Sequence, residues 1–185
     1  MSEFTLHTLD SAPAKSKPLL EGSLKAFGSI PNLHAVMADA PAVLEAYQRL
    51  HGLFMASSFN TDEKTVLWQT INVEHGCTYC VAAHSAIAGQ MKVSDDITQA
   101  LRNGTPLQDQ KLEALRHFTL ELVRDRGYVK PESLKAFLDA GYSLQQVQEV
   151  VLCLSQKVLS NYINHLAETP LDESFSAFAW SSGGK

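Results

Sequence analysis

Two cysteines, a histidine and a glutamate lie within eleven residues near the middle of this 185-residue chain. They are Glu74, Cys77, Cys80 and His84, in the pattern E-x-x-C-x-x-C-x-x-x-H. Thiols act as nucleophiles and redox centres, and carboxylates and imidazoles move protons. Two cysteines three residues apart can also form a reversible disulfide. The pattern therefore predicts a site for thiol chemistry or proton transfer.

Helical spacing indicates a role for each residue of this predicted site. A continuous helix through the segment would place the four side chains within a sector of about 120°. Because helical side chains lean toward the N-terminus, His84 should lie over Cys80 rather than over Cys77. A helix N-terminus and a nearby imidazolium both lower a thiol pKa. Cys80 is thus the predicted reactive thiol and Cys77 its disulfide partner. Glu74 could exchange a proton with His84.

Two other interpretations fit the same residues. Small cysteines on an alanine-rich helix can be ordinary core residues. A zinc site could use the two cysteines and His84 with Glu74 or His75, although such sites usually need a second, distant pair of ligands. Cys153 and His165 could in principle complete that set. Cys153, however, lies in an apolar helical segment that predicts a buried structural thiol.

The rest of the sequence predicts an all-α protein, with no strict apolar alternation typical of strands. Residues 1–28 are expected to form an irregular arm with about one helical turn, 29–170 a helical domain, and 171–185 a tail that packs on the domain or on a partner subunit. The motif begins a central helix after Gly76, which should break or tightly join the helix before it. Helices are predicted to begin near Pro31, Pro41, Asn60, Cys77, Ser94, Leu107, Pro131 and Ser143.

The composition limits the kinds of molecule that the protein is expected to bind. Fifteen Lys and Arg against 20 Asp and Glu give a net charge of −5, so nucleic acid and anionic lipid are not expected to bind. No segment approaches the roughly 18 apolar residues of a membrane span, and the first ten residues do not resemble a secretory leader. Three cysteines do not indicate a secreted disulfide framework. We therefore expect a cytoplasmic protein without nucleic-acid or membrane partners.

The cysteine motif resembles that of the alkylhydroperoxidase D-like (AhpD-like) family, also called the carboxymuconolactone decarboxylase family. Glu74, Cys77, Cys80 and His84 match the family pattern without a spacing error, and the similarity extends from about residue 30 to residue 170. The resemblance implies an AhpD-like helical bundle that assembles into dimers, trimers or hexamers. One departure is Tyr79, where the best-studied peroxidase type has a histidine.

The resemblance also implies roles for the four residues. Cys80 would be the peroxidatic thiol, and Cys77 the resolving thiol that meets the external reductant. Glu74 and His84 would form a proton relay. Residues 161–165 resemble the peroxidase-related branch of the family, which implies reduction of hydrogen peroxide or small alkyl hydroperoxides without a metal or cofactor. The reductant would be a dithiol, for which a lipoyl group is a candidate.

A non-redox alternative remains open. The decarboxylase branch resembles the same fold but does not rely on a cysteine pair. In an enzyme of that kind, His84 and Glu74 would move protons on a small carbonyl acid.

Overall fold

The computed structural model describes residues 3–182, and in that range it is built of helices without a strand. This confirms the predicted all-α class. The ends of the predicted arm and tail, residues 1–2 and 183–185, lie outside the described residues. None of the helices within 3–182 combines the length and apolar character needed to cross a bilayer. The helices are α1 Lys17–Phe27, α2 Asn32–Met37, α3 Pro41–Met55, α4 Thr61–Glu74, α5 Thr78–Gln90, α6 Asp95–Asn103, α7 Gln110–Arg124, α8 Pro131–Asp139, α9 Leu144–Ala167 and a 3-10 helix, Glu173–Phe178.

Local capping explains why several helices begin close to their predicted positions. The Asn60 side chain accepts a hydrogen bond from the Glu63 N–H, and the Glu63 carboxylate accepts one from the Asn60 N–H. Ser143 and Gln146 form the same reciprocal box at the start of α9. Each box satisfies N–H groups that have no partner within the helix. These helix starts are therefore fixed by a few neighbouring residues.

The leading arm is more helical than predicted. Helix α1 has 11 residues instead of a single turn, and it ends at Gly28 in the left-handed conformation. The Leu20 side chain of α1 is fully buried in the same apolar cluster as Leu44 and Cys77. Short helices are stabilised mainly by tertiary packing. The burial of Leu20 therefore explains why α1 is longer than its local sequence predicts.

A turn at Gly76 separates α4 from α5. Gly76 has a φ of +67°, which glycine adopts without steric cost, and Cys77 is the extended N-cap residue of α5. The expectation of one helical face for all four motif residues is therefore wrong for Glu74, which is the last residue of α4. Cys80 and His84 lie on α5, with Cys77 at its start.

Two apolar clusters form the core. The larger one includes Trp68 of α4, Phe118 of α7 and Val150 of α9. The smaller one joins side chains of α1, α2, α3 and α5 and contains both Cys77 and Cys80. Helix α9 contacts α2, α3, α4 and α5, so its side chains border both clusters. The position of α9 therefore brings residues distant in sequence to the thiol pair.

The tail folds back over α5. The Tyr79 hydroxyl donates to the Asp172 carboxylate, which also accepts from the Asn32 N–H at 3.0 Å. Farther along, the Arg102 guanidinium donates to two backbone carbonyls near the end of the tail. The Trp180 indole N–H donates back to the Arg102 carbonyl at 3.0 Å. The tail is thus fastened to the helical domain at two points.

Replacing Asp172 by alanine should loosen the near end of the tail, because Tyr79 and Asn32 lose their shared acceptor. We expect cleavage of the tail by a nonspecific protease to become about fivefold faster, which corresponds to about 1 kcal/mol of local stability. Mass spectrometry of a proteolysis time course measures the rate. Glu173→Ala removes an exposed carboxylate at the next position and should leave the rate unchanged. Equal acceleration in both variants would contradict the assignment.

Candidate active site

The candidate site lies between the start of α5 and one face of α9. Helix α5 and its N-cap provide Cys80 and Cys77. Helix α9 provides Lys157, Ser160 and Asn164, whose spacing of three and four residues puts them on one side of the helix. None of these five residues is more than 4% exposed. The site is therefore a group of polar side chains enclosed by the protein.

The Asn164 amide lies close to both sulfur atoms. Its Nδ2 donates to Cys80 Sγ at 3.2 Å and lies 3.9 Å from Cys77 Sγ. The Ser160 hydroxyl oxygen is 3.9 Å from Cys80 Sγ. Both cysteines are free thiols. The structure thus brings together the two cysteines that the sequence predicts as a pair.

The surroundings of Cys80 favour its thiolate. Burial by itself raises the pKa of the Cys80 thiol, and this is the largest single effect. A hydrogen bond from the Cys77 thiol, the positive charge of Lys157 and the polar groups of α9 together outweigh burial and lower the pKa to about 5. The pKa of Cys77 is raised, first by its hydrogen bond to Cys80 and then by burial. At neutral pH, Cys80 is the thiolate and Cys77 the thiol.

Lys157 supplies the positive charge in this site. Its side chain is fully buried, a position that is costly for a charge without a partner. Burial lowers the pKa of Lys157, but the negative charge of Cys80 is the main effect that raises it above the ordinary value overall. Lys157 and Cys80 therefore stabilise each other's charged form.

Lys157 is not among the residues predicted from the sequence, although the sequence carries one signal of it. Val150, Cys153 and Lys157 recur at helical spacing, and all three are fully buried. A single lysine on an otherwise apolar face of a helix indicates either a long side chain reaching the surface or a buried charge with a partner. Only the neighbouring helices decide between these two cases.

His84 lies beside Lys157 and is neutral. Its Nε2 accepts a hydrogen bond from Lys157 Nζ at 2.9 Å. Burial and then the charge of Lys157 hold the pKa of His84 well below its usual range. The sequence predicts that a His84 imidazolium supplies the positive charge near Cys80, whereas in the structure the Lys157 ammonium supplies it. Within residues 3–182, His84 Nδ1 is buried without a hydrogen-bond partner.

Glu74 is held by a residue outside the thiol pair. Its two carboxylate oxygens accept hydrogen bonds from Arg124 of α7 at 2.9 and 2.8 Å. Paired donors of this kind favour a carboxylate in its charged form. The predicted proton relay between Glu74 and His84 stays a prediction.

The other residues considered as zinc ligands are dispersed. His75 Nδ1 is 2.8 Å from Asn161 Oδ1, and His165 lies exposed at the end of α9 beside Tyr162. Cys153 is fully buried in the larger cluster, as predicted for a structural thiol. In the part of the chain that the structure describes, no three His, Cys, Asp or Glu side chains are arranged to hold a metal ion.

Comparison with solved structures identifies the fold. The AhpD core structure of an uncharacterised peroxidase-related protein from Ralstonia eutropha JMP134 matches with a TM-score of 0.82, at 17% identity over 94% of each chain. This chain has the AhpD-like fold. An uncharacterised peroxidase-related protein from Silicibacter sp. TM1040 matches with a TM-score of 0.78, at 16% identity over 94% of this chain and 95% of its own.

A debrominase shares the AhpD-like fold as well. The debrominase Bmp8, in a variant bound to 2,3,4-tribromopyrrole, matches with a TM-score of 0.79, at 18% identity over 96% of both chains. No protein-family model matches the sequence, and no curated protein is significantly similar to it. Because one fold can host several reactions, the activity has to be argued from the side chains of the site.

Replacing Lys157 by methionine should raise the apparent pKa of Cys80 by about 1–3 units, because the thiolate loses its neighbouring cation. The measurement is the pH dependence of iodoacetamide labelling of the reduced protein, with the labelled peptide identified by mass. Lys25→Met, which removes an exposed lysine of α1, should keep the wild-type profile. An unchanged profile in a folded Lys157→Met protein would rule out this role of Lys157.

The ionisation of Cys80 should also make stability depend on pH. Its pKa is about 5 in the folded protein against an ordinary 9.0, so the unfolded chain binds the extra proton between these values. Stability therefore rises with pH across this window and is lost as pH falls. Because His34 and His51 contribute below pH 6.5, the informative range is pH 6.5–9. Urea unfolding of the reduced protein should show this rise, and the double variant Cys80→Ser/Lys157→Met, which removes both charges of the pair, should flatten it. Parallel curves for the two proteins would contradict it.

Proposed function

We propose that the protein is a thiol-dependent peroxidase that reduces hydrogen peroxide or small alkyl hydroperoxides. The observation that carries this proposal is the position of the two sulfur atoms beside one amide, with Asn164 Nδ2 at 3.2 Å from Cys80 Sγ and 3.9 Å from Cys77 Sγ. Cys80 is a thiolate beside Lys157, whereas Cys77 keeps its proton close to the same Asn164 amide. A thiolate attacks peroxides, and a second thiol nearby converts the oxidised product to a disulfide.

The proposed reaction begins with attack of the Cys80 thiolate on the terminal oxygen of the hydroperoxide. A sulfur–oxygen bond forms, the O–O bond breaks, and Cys80 is oxidised by two electrons to a sulfenic acid. The leaving oxygen, reduced at the same time, needs one proton to become an alcohol or water. The Lys157 ammonium can supply that proton, since the thiolate charge that it balanced has disappeared.

The second proposed step closes the disulfide. Cys77 sulfur attacks the sulfur of the Cys80 sulfenic acid, an S–S bond forms, and the hydroxyl group leaves as water with the Cys77 proton. A dithiol reductant, for which a lipoyl-type group is a candidate, then attacks at Cys77 and returns both cysteines to thiols while becoming a disulfide itself. Because Cys77 is fully buried, this step requires local opening of the structure.

The proposed cellular location, assembly and cofactor use are those expected from the sequence. We propose a cytoplasmic homo-oligomer, a dimer, trimer or hexamer, that uses no metal or cofactor. Apolar surface is available for assembly on α3 and α9, where several large side chains are exposed. These are Leu53, Met55, Val151, Tyr162 and Leu166.

The choice of assay distinguishes the proposed peroxidase activity from two other candidate activities. The debrominase that shares the fold makes a halogenated pyrrole the appropriate competing substrate. A non-redox enzyme similar to the carboxymuconolactone decarboxylases would use His84 and Glu74 and would not need a thiol. Turnover that survives complete thiol alkylation would favour that alternative.

Limited exposure of the reduced protein to hydrogen peroxide should remove two hydrogen atoms from the peptide that holds Cys77 and Cys80, as measured by mass spectrometry. Peroxide should also be consumed when a dithiol reductant is present. Cys80→Ser should lower consumption by about a thousandfold or more, because the nucleophile is lost. Cys77→Ser should instead gain one oxygen atom, at Cys80.

The matched control is Cys153→Ala, which removes the third, structural cysteine and should consume peroxide at the wild-type rate. Wild-type activity in the Cys80→Ser protein would refute the proposed function.

A further inference from the structure

We propose that Asn164 is a catalytic residue that holds the hydroperoxide by its O–H group while it stabilises the attacking thiolate. Asn164 Nδ2 donates to the Cys80 sulfur, and Asn164 Oδ1 accepts the hydrogen bond of the hydroperoxide O–H. This inference rests on the proposed peroxidase function and names the group that orients its substrate.

The first observation is an unused acceptor beside the reactive sulfur. Asn164 is 4% exposed, and its Oδ1 is buried without a hydrogen-bond partner among residues 3–182. Leaving a buried polar atom without a hydrogen-bond partner is unfavourable. The opposite end of the same amide donates to Cys80 Sγ at 3.2 Å. The site therefore contains an acceptor that suits a small donor not supplied by the described protein.

The orientation of the amide follows from the charge on sulfur. A flipped amide would point its carbonyl oxygen at the Cys80 thiolate and would lose the N–H···S bond, so the thiolate selects the observed orientation. The open acceptor and the N–H that contacts the nucleophile thus belong to one planar amide group. Such fixed geometry is what aligns two reacting atoms.

Asn161, one turn earlier on α9, shows that the unsatisfied oxygen is not a general property of this helix. Its Nδ2 donates to Asn72 Oδ1 at 3.0 Å, and its Oδ1 pairs with His75 Nδ1 at 2.8 Å. Both ends of that buried amide are used by the protein itself. Of two asparagines three residues apart, only Asn164 keeps an open acceptor, and it is the one in contact with Cys80.

The chemistry of a hydroperoxide fits this acceptor. The terminal oxygen, which the thiolate attacks, carries the only O–H of an alkyl hydroperoxide. An O–H bond to Asn164 Oδ1 would hold that oxygen near the sulfur to which the same side chain donates. After the S–O bond forms and the O–O bond breaks, the proton remains on the sulfenic acid. The acceptor can then hold the product hydroxyl until Cys77 displaces it as water.

The test compares two reagents that react with the same thiolate. Hydrogen peroxide presents an O–H to the acceptor, whereas iodomethane alkylates sulfur with loss of iodide and has neither an O–H nor an N–H. Rates are measured on the reduced protein at pH values where Cys80 is fully ionised in each variant. Asn164→Leu keeps the approximate shape of the side chain without its donor or acceptor. The peroxide rate should fall about tenfold or more relative to the iodomethane rate.

Two further variants make the comparison specific. Asn161→Leu is the same substitution one turn away and should keep the wild-type ratio of the two rates. Asn164→Ala supplies a second removal of the amide if the leucine does not fit. An opening step that both small reagents share cancels in the ratio of the two rates, so the ratio responds to substrate orientation.

A folded Asn164→Leu or Asn164→Ala protein that loses both rates equally would overturn the inference, because Asn164 would then only support the thiolate. An equal fall of the ratio in Asn161→Leu would overturn it as well. In both cases wild-type protein still consumes peroxide, and the proposed function stands. A wild-type protein that is alkylated at Cys80 but does not react with peroxide would refute both.

Discussion

The buried charge pair of Cys80 and Lys157 is the interaction on which the rest of the site depends. Removing either ion from water alone costs several kcal/mol, so neither would remain charged in this interior without the other. The Asn164 amide adds a hydrogen bond to the sulfur. The neutral state of His84 follows from the same balance, since a second positive charge beside Lys157 would have no counter-charge. One electrostatic constraint thus sets the protonation of three neighbouring groups.

The helices position Cys80 and Lys157 and enclose them away from water. The turn at Gly76 starts α5 so that Cys80 lies in the first turn, where the helix dipole favours a negative charge. Helix α9 runs past α5 and presents its three polar residues from a single face. The tail packs against α5 from another side. The low exposure of the site keeps water away from the charges, which strengthens their interaction.

The AhpD-like fold is compatible with more than one chemistry, since a debrominase and peroxidase-related proteins share it. The distinguishing features of this chain are therefore its individual side chains. Five buried side-chain polar atoms lack hydrogen-bond partners among the described residues, and two of them, His84 Nδ1 and Asn164 Oδ1, belong to residues hydrogen-bonded to Lys157 and Cys80. Unsatisfied groups at a reactive centre are expected where a substrate completes the network.

The sequence by itself determined the helical class, most helix starts and the closeness of Cys77 to Cys80, because capping boxes, prolines and helical spacing act over a few residues. It also predicted Cys153 as a structural thiol. It did not place Glu74 correctly, since the left-handed turn at Gly76 redirects the chain, and it missed Lys157 and Asn164. Those two reach Cys80 only because α9 packs against α5, and the burial of apolar faces that brings distant helices together is a property of the whole fold.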